Sequence, residues 1–553
     1  MTRRLLILVL AAVLAGLGAV LPRAQAAPPA PRESTFQDDS LLVYNTPVGV
    51  SQTLDTLHAL GVNRVRVSVF WGLVAPSPKS KSRPSFDAAD PNAYPAGSWD
   101  RYDRIVTYAA TKGIAVNFNV TDPAPLWATG SPPRADIEAT FEPQPKAFGD
   151  FVHAVATRYS GTFMAPKPTF DPQHPGAPAP LPRVDYWAIW NEPNQPGWLT
   201  PQLVPGAGRR LIERAPTIYR ALVDAAYAAL TATGHGSDTI LVGETAPKGL
   251  NTKGLPPCSA ARRASVCTGA IKPLHFIRQL YCLDDSYHPL RGATAAVRGC
   301  PVDAAGTARF ITDHPGLFMA SGWAHHPYEL IFAPNRAPAD PDFVTIASLG
   351  RLTDVLQRIL GAYGEDRPGG MPLYLTEFGY QSTPPSPIGV SLSRQAAYLN
   401  QSEFIAYTNP HVRTLSQFLL RDDSTRPGAT ALARAGASFQ TGLEFHAGKR
   451  KPAYAAYRLP VYLPSATVRR NHRLRVWGFV RLSAYGTTQQ VSVELRPSRG
   501  RAFRTIATVP SDGQRGYVDA RVRIPTSGFL RLSWNRPGTH QIIRSRVVGV
   551  RVR

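Results

Sequence analysis

The amino-acid sequence predicts a (β/α)8 TIM barrel followed by a small antiparallel β-sandwich. Three observations lead there. Eight short apolar, β-branched or aromatic runs alternate with helix-length segments up to about residue 460, the pattern of a parallel sheet closed by helices. Polar and aromatic side chains fall directly after most of those runs. Beyond Pro464 the texture changes to short alternating strands separated by Gly, Pro and Asp turns, as in an antiparallel sandwich.

In chain order, Arg3 and Arg4 precede an apolar run from Leu5 to Leu21 and then Ala24-Gln25-Ala26. A basic start, a hydrophobic middle and an A-x-A site describe a secretory signal, here residues 1–26, cleaved after Ala26. The alternative is an uncleaved anchor, although 17 residues fall short of the ~20 that a spanning helix needs. The protein is therefore expected to be secreted or associated with the cell envelope. The predicted strands are 41–44 (LLVY), 64–70 (RVRVSVF), 114–120 (IAVNFNV), 184–190 (VDYWAIW), 239–243 (TILVG), 317–323 (LFMASGW), 372–376 (PLYLT) and 414–420 (TLSQFLL). Helices are expected at 51–60, 100–112, 144–160, 209–234, 343–362 and 391–407. Pro-rich segments at 164–182 and 333–341 read as surface excursions. The domain reading is a barrel over 27–464 and a sandwich over 465–553.

Four cysteines, Cys258, Cys267, Cys282 and Cys300, share one 43-residue stretch. In an exported chain they read as two local disulfides. Three pairings are open, and short loops favour the sequential one. No C-x-x-C occurs, which argues against zinc. The chain carries a net charge of +23, of which +15 lies in residues 465–553, with 18 arginines, no lysine and three acids. Such an excess implies attraction to an anionic partner, here an anionic cell-envelope polymer or a phospholipid surface; the alternative is that the arginines only keep a secreted domain soluble and reflect codon bias. Nucleic acid is not expected, because the arginines are scattered over strands and not grouped in a reading motif.

The chemistry is expected at the strand ends, where barrels of this kind build their active sites. Trp71, Asn119, Asn191, Glu192, Glu244, His325, His326, Glu377 and Asp422 all fall there. Glu192 ends strand four in "WAIWNEPN" and Glu377 ends strand seven in "LYLTEFGYQS". Two carboxyls across a barrel mouth can divide glycoside hydrolysis, one protonating the leaving oxygen and the other attacking the anomeric carbon. No cofactor is called for. His325 and His326 as metal ligands are disfavoured, since adjacent residues of a strand point to opposite sides. Trp71, Trp127 and Trp198 are candidate platforms for sugar rings; Trp187 and Trp190, inside the apolar run, are better read as core.

Asn-Glu-Pro on strand four together with Thr-Glu-Phe-Gly on strand seven resembles clan A of the retaining glycoside hydrolases, nearest in look to family 39 (β-xylosidase and exopolysaccharide hydrolase-like) or family 5. The resemblance spans about residues 40–460. It implies Glu192 as acid/base, Glu377 as nucleophile and Asn191 bonding the sugar 2-hydroxyl. It also implies Arg66 bonding the nucleophile, and His326 with Tyr328 as the clan's H-x-Y, the tyrosine hydroxyl touching the nucleophile. The chain departs from the pattern at strand eight, where "LSQFLLRDDS" has no tryptophan and Gln417, Arg421 or Asp422 would supply polar contacts instead. The expected substrate is a poly- or oligosaccharide, and the expected state a monomer. A transglycosylase would use the same two glutamates; a carbohydrate-binding protein would need neither.

Overall fold

The structure, a computed structural model, describes residues 33–165, 180–206, 211–250, 269–425, 438–499 and 502–553. The proposed signal segment, Cys258 and Cys267 lie outside them. Eight parallel strands close into a barrel in sequence order: β1 (Glu33–Gln37), β2 (Arg64–Phe70), β3 (Ala115–Thr121), β4 (Tyr186–Ile189), β5 (Thr239–Thr245), β6 (Gly322–His325), β7 (Leu373–Phe378) and β8 (Val412–Phe418). The helices packed outside include α1 (Pro47–Leu60), α2 (Asp100–Thr111), α3 (Pro145–Arg158), α4 (Ala215–Ala232), α5 (Leu349–Ala362) and α6 (Leu392–Thr408).

Strand β2 shows how the pattern works. Val65, Val67 and Val69 alternate with Arg64, Arg66 and Ser68, yet every residue is buried. Alternation of this kind elsewhere marks a half-exposed strand; here the polar face turns into the barrel. Burying charge there requires partners. Arg64 finds Glu33 at 2.6 Å and Asp185 at 2.9 Å, and its guanidinium sits 3.5 Å over the Tyr186 ring. Helix α1 begins under a Thr46 cap with Pro47 in its first turn and stops at Gly61, whose φ of +82° is open to glycine at little cost.

Two strand predictions need correction. The first strand is Glu33–Gln37, not 41–44: Asp38 accepts the Leu41 amide and starts a helical turn over Asp39–Leu42. That side-chain bond gives the backbone an alternative to extending, so the apolar LLVY packs from a turn. Likewise, part of 317–323 is helical (Pro315–Met319), and the strand is Gly322–His325.

The C-terminal strands are β9 (Val461–Tyr462), β10 (Thr467–Val468), β11 (Arg473–Phe479), β12 (Gln490–Pro497), β13 (Arg504–Pro510), β14 (Tyr517–Arg523), β15 (Gly528–Asn535), β16 (Ile542–Arg544) and β17 (Val548–Val552). One sheet runs β9-β11-β14 and the other β10-β17-β15-β12-β13, with β16 beside β15. Val476, Val491, Val493, Val518, Leu530 and Leu532 fill the space between them. The sandwich is pinned to the barrel by arginines. Buried Arg481 donates to the Tyr457 carbonyl, Ser34 and Glu403, and Arg546 donates to Asn400 and the Val461 carbonyl. Trp477 packs on Phe404 and Tyr407 of α6. Part of the arginine excess is thus structural.

Cys282 and Cys300 form a disulfide, the pairing that short loops favoured. Among the described residues, no helix is long and apolar enough to cross a membrane.

Candidate active site

A cleft of about 950 Å³ opens over the C-terminal ends of the strands, with Asn191, Glu192, Trp198, Tyr328 and Glu377 in its walls. Strand β4 ends in a bent backbone: Trp190 has φ +65° and Glu192 φ +36°. Left-handed conformations cost non-glycine residues energy and gather at functional sites. Here the bend turns Asn191 inward and Glu192 across the mouth.

The nearest oxygens of Glu192 and Glu377 and a ring nitrogen of His326 all lie within 4.8 Å of one another. Arg66, fully buried, is the hub beneath them. One guanidinium nitrogen donates to Gln37 at 2.5 Å and Glu377 at 2.8 Å, the other to Asn191 at 2.7 Å and Glu244 at 3.0 Å. The Tyr328 hydroxyl donates to the second Glu377 oxygen at 3.0 Å. Sequence-singled Arg66, Asn191, Glu192, His326, Tyr328 and Glu377 therefore converge on one point.

His326 bridges the carboxylates. Nδ1 lies 2.9 Å from Glu192 and 3.6 Å from Glu377, and Nε2 lies 2.6 Å from Glu244. Desolvation alone would lower its pKa, but the carboxylates of Glu377, Glu192 and Glu244 push it up to about 10. The ring is an imidazolium, a donor on both nitrogens. The Glu192–His326–Glu377 trio has the donor types of a metal site, and His326 spans the carboxylates of Glu192 and Glu244 through its two nitrogens. His325, on the opposite side of the strand, is buried and held down to about 3.

Burial pushes the Glu377 carboxyl above the ordinary glutamate value; His326 and Arg66 pull the other way, while Glu192 and Glu244 add to the rise. Glu192 is the more open of the pair, its side chain 18% exposed against 10% for Glu377.

Glu244 is a polar strand end to which the sequence reading gave no role. It is wholly buried and accepts from Arg66, His326 and the Thr376 hydroxyl (2.7 Å) through one oxygen. Burial opposes its charge, but Arg66 and His326 hold the pKa down to about 2. Its carbonyl also accepts the Glu192 amide at 3.0 Å. The cause is a bulge: β5 and β6 slip register between Val242 and Thr245, where Gly243 has φ +107° and Glu244 φ +45°. A bulge re-aims a side chain at a strand end, and Gly before Glu in "LVGET" was the available signal.

The tryptophans divide. Trp198 lines the cleft. Trp71 and Trp127 do not, which corrects their assignment as sugar platforms: Trp71 is fully buried against Phe148 and Phe151 of α3, and Trp127 packs edge-on against Trp71 and donates to the Pro76 carbonyl. Gln417, Arg421 and Asp422 also stay out of the cleft. Gln417 bonds main-chain carbonyls, Arg421 faces Glu444, and Asp422 is buried against Lys451. Phe418 and Phe439 form the cleft wall there instead.

No protein-family model and no curated protein matches the chain. Solved structures similar to it include a family 39 glycoside hydrolase from the gut symbiont Bacteroides cellulosilyticus WH2, 13% identical, with 89% of this chain and 79% of that one covered and a TM-score of 0.45. A GH39 β-xylosidase from Caulobacter crescentus is 16% identical, with 85% and 84% covered and a TM-score of 0.41. The endo-β-1,4-mannanase from Thermotoga petrophila is 12% identical, with 95% and 98% covered and a TM-score of 0.39.

Proposed function

We propose that the chain is a retaining glycoside hydrolase acting on a poly- or oligosaccharide by double displacement. The observation that carries this is the approach of the Glu192 and Glu377 oxygens to within 4.8 Å at the foot of an open cleft. Retention uses carboxyls about 5–5.5 Å apart, whereas inversion needs roughly 6.5–9.5 Å to admit a water.

Glu377, held by Arg66 and Tyr328, attacks the anomeric carbon. Glu192 gives its proton to the leaving oxygen as that carbon–oxygen bond breaks, leaving a glycosyl ester on Glu377. Glu192 then takes a proton from water, which attacks the same carbon and releases Glu377. Asn191 accepts from Arg66 through Oδ1; among the described residues its Nδ2 meets no acceptor, which leaves it for the sugar 2-hydroxyl. The cleft volume is at the upper end of the ~300–1,000 Å³ of small-molecule pockets, room for more than the ring being cleaved. The Cys282–Cys300 bridge suits an exported protein.

The test is product stereochemistry. With an aryl glycoside panel followed by proton NMR, the first sugar released keeps the anomeric configuration of the substrate; a first-formed inverted anomer overturns the reading. A second check concerns Arg66. Removing this cation in Arg66→Met raises the pKa of Glu377, so the acidic limb of the pH–rate profile moves to higher pH. An unmoved limb in a folded variant means that Arg66 does not support the nucleophile.

A further inference from the structure

We propose that the arginines around the turn between β10 and β11 form a docking surface for an extended anionic polysaccharide. Arg469 and Arg470 lie in that turn and Arg473 opens β11. Arg523 stands directly opposite Arg473 across the antiparallel β11–β14 pair, with Arg521 opposite Arg475 on the next rung of the same face. Arg553 is tied beside the turn, its carbonyl accepting the Arg470 amide at 2.7 Å. All of these but the half-buried Arg475 are exposed.

Like charges facing each other across a strand pair repel, and the domain's own acids do not relieve them. Glu494 takes Arg531 and Asp519 takes Arg475, each at 2.6 Å. Asp512 accepts the amides of Arg515, Gly516 and Tyr517. Among the described residues, Arg469, Arg470, Arg473, Arg521 and Arg553 have no side-chain carboxylate within ion-pairing distance, and Arg523 reaches only the neutral Asn471 amide. Cross-strand neighbours are ~5 Å apart and alternate residues along a strand ~7 Å. The result is a grid of guanidinium forks suited to a chain bearing one carboxylate per sugar unit.

The surroundings select this occupant. A membrane surface rewards apolar side chains inserted beside the cations, and none of the exposed large apolar residues lies in 465–475, 519–525 or 548–553. Single-stranded nucleic acid is held by rings that stack on bases. Trp477, the aromatic residue that follows on the same strand face, is buried against α6.

The surface is independent of the barrel chemistry, and so is its test. Full-length protein is titrated with polygalacturonate over a range of ionic strength, with a single-stranded oligonucleotide and phosphatidylglycerol vesicles in parallel. The triple variant Arg469→Gln, Arg473→Gln, Arg523→Gln is expected to lose most of the binding, with the log–log salt slope falling by roughly one per arginine removed. A control triple, Arg499→Gln, Arg504→Gln, Arg544→Gln, removes the same charge from exposed arginines elsewhere in the domain and is expected to bind as the parent does. Equal loss in both triples, no binding by the parent at low salt, or tighter patch-dependent binding of the oligonucleotide or the vesicles overturns the proposal.

Discussion

Replacing Glu377 with alanine is expected to abolish turnover, by roughly 10⁴- to 10⁶-fold as for other catalytic groups that act as a unit. The vacated space lies between the Arg66 guanidinium and the Tyr328 hydroxyl, where a small anion is held by the donors that held the carboxylate. Added azide should therefore restore reaction in Glu377→Ala. It attacks from the face the carboxylate occupied, so the product is a glycosyl azide of inverted configuration. Glu192→Ala behaves differently. Without its proton donor the enzyme should still process aryl glycosides with acidic leaving groups, which depart unaided, while losing substrates with sugar leaving groups. Steady-state rates on both substrate classes, with and without azide, separate the roles. Near-normal hydrolysis by Glu377→Ala, or azide rescue of Glu192→Ala alone with inversion, would reverse or remove the assignment. The same geometry governs pH: the nucleophile works as the anion, and burial raises the Glu377 pKa. Activity should fall on acidification at a higher pH than a free glutamate would dictate.

Glu244→Gln is expected to lower kcat/KM by roughly 10²-fold although Glu244 lines no part of the cleft, the size of loss that a misplacement of about 1 Å produces. Two titration shifts identify the cause. Glu244 is a negative neighbour that raises the Glu377 pKa, so its loss moves the acidic limb to lower pH, opposite to Arg66→Met. Glu244 also helps hold His326 protonated, so its loss lowers the imidazole pKa. The groups facing Glu244 are Arg66, His326, Thr376 and, through the adjacent Gly243 amide, Tyr219. Imidazole ¹⁵N shifts follow the His326 proton without any assay of turnover, and thermal melting establishes that the variant folds. Superimposable pH profiles with an unchanged His326 signal would reduce Glu244 to a packing residue.

The Glu192 and Glu377 carboxyl pair was legible in the sequence because each glutamate sits at the end of a strand whose pattern marks where it stops, and Arg66 because its strand alternates polar with apolar residues. Glu192 follows YWAI, Glu377 follows LYLT, and Arg66 alternates with valines. In a closed parallel barrel all strand ends meet at one rim, so residues far apart in sequence need only that topology to come together. The Cys282–Cys300 bridge is the one that loop length favoured among the open pairings. The tryptophans were not legible. Trp71 comes directly after β2 and Trp198 in the loop beyond β4, and only the tertiary structure separates them: Phe148 and Phe151 from α3 enclose the first, while the second lines the cleft. Glu244 depended on a one-residue bulge, and β1 on a single hydrogen bond from the Leu41 amide to Asp38. Composition told that residues 465–553 carry excess positive charge, but not that Arg481 and Arg546 spend theirs on the barrel while Arg473 faces Arg523. Periodicity reports which face of a strand a residue occupies. What covers that face, and which charge stands opposite, comes from segments hundreds of residues away, and tertiary packing alone decides it.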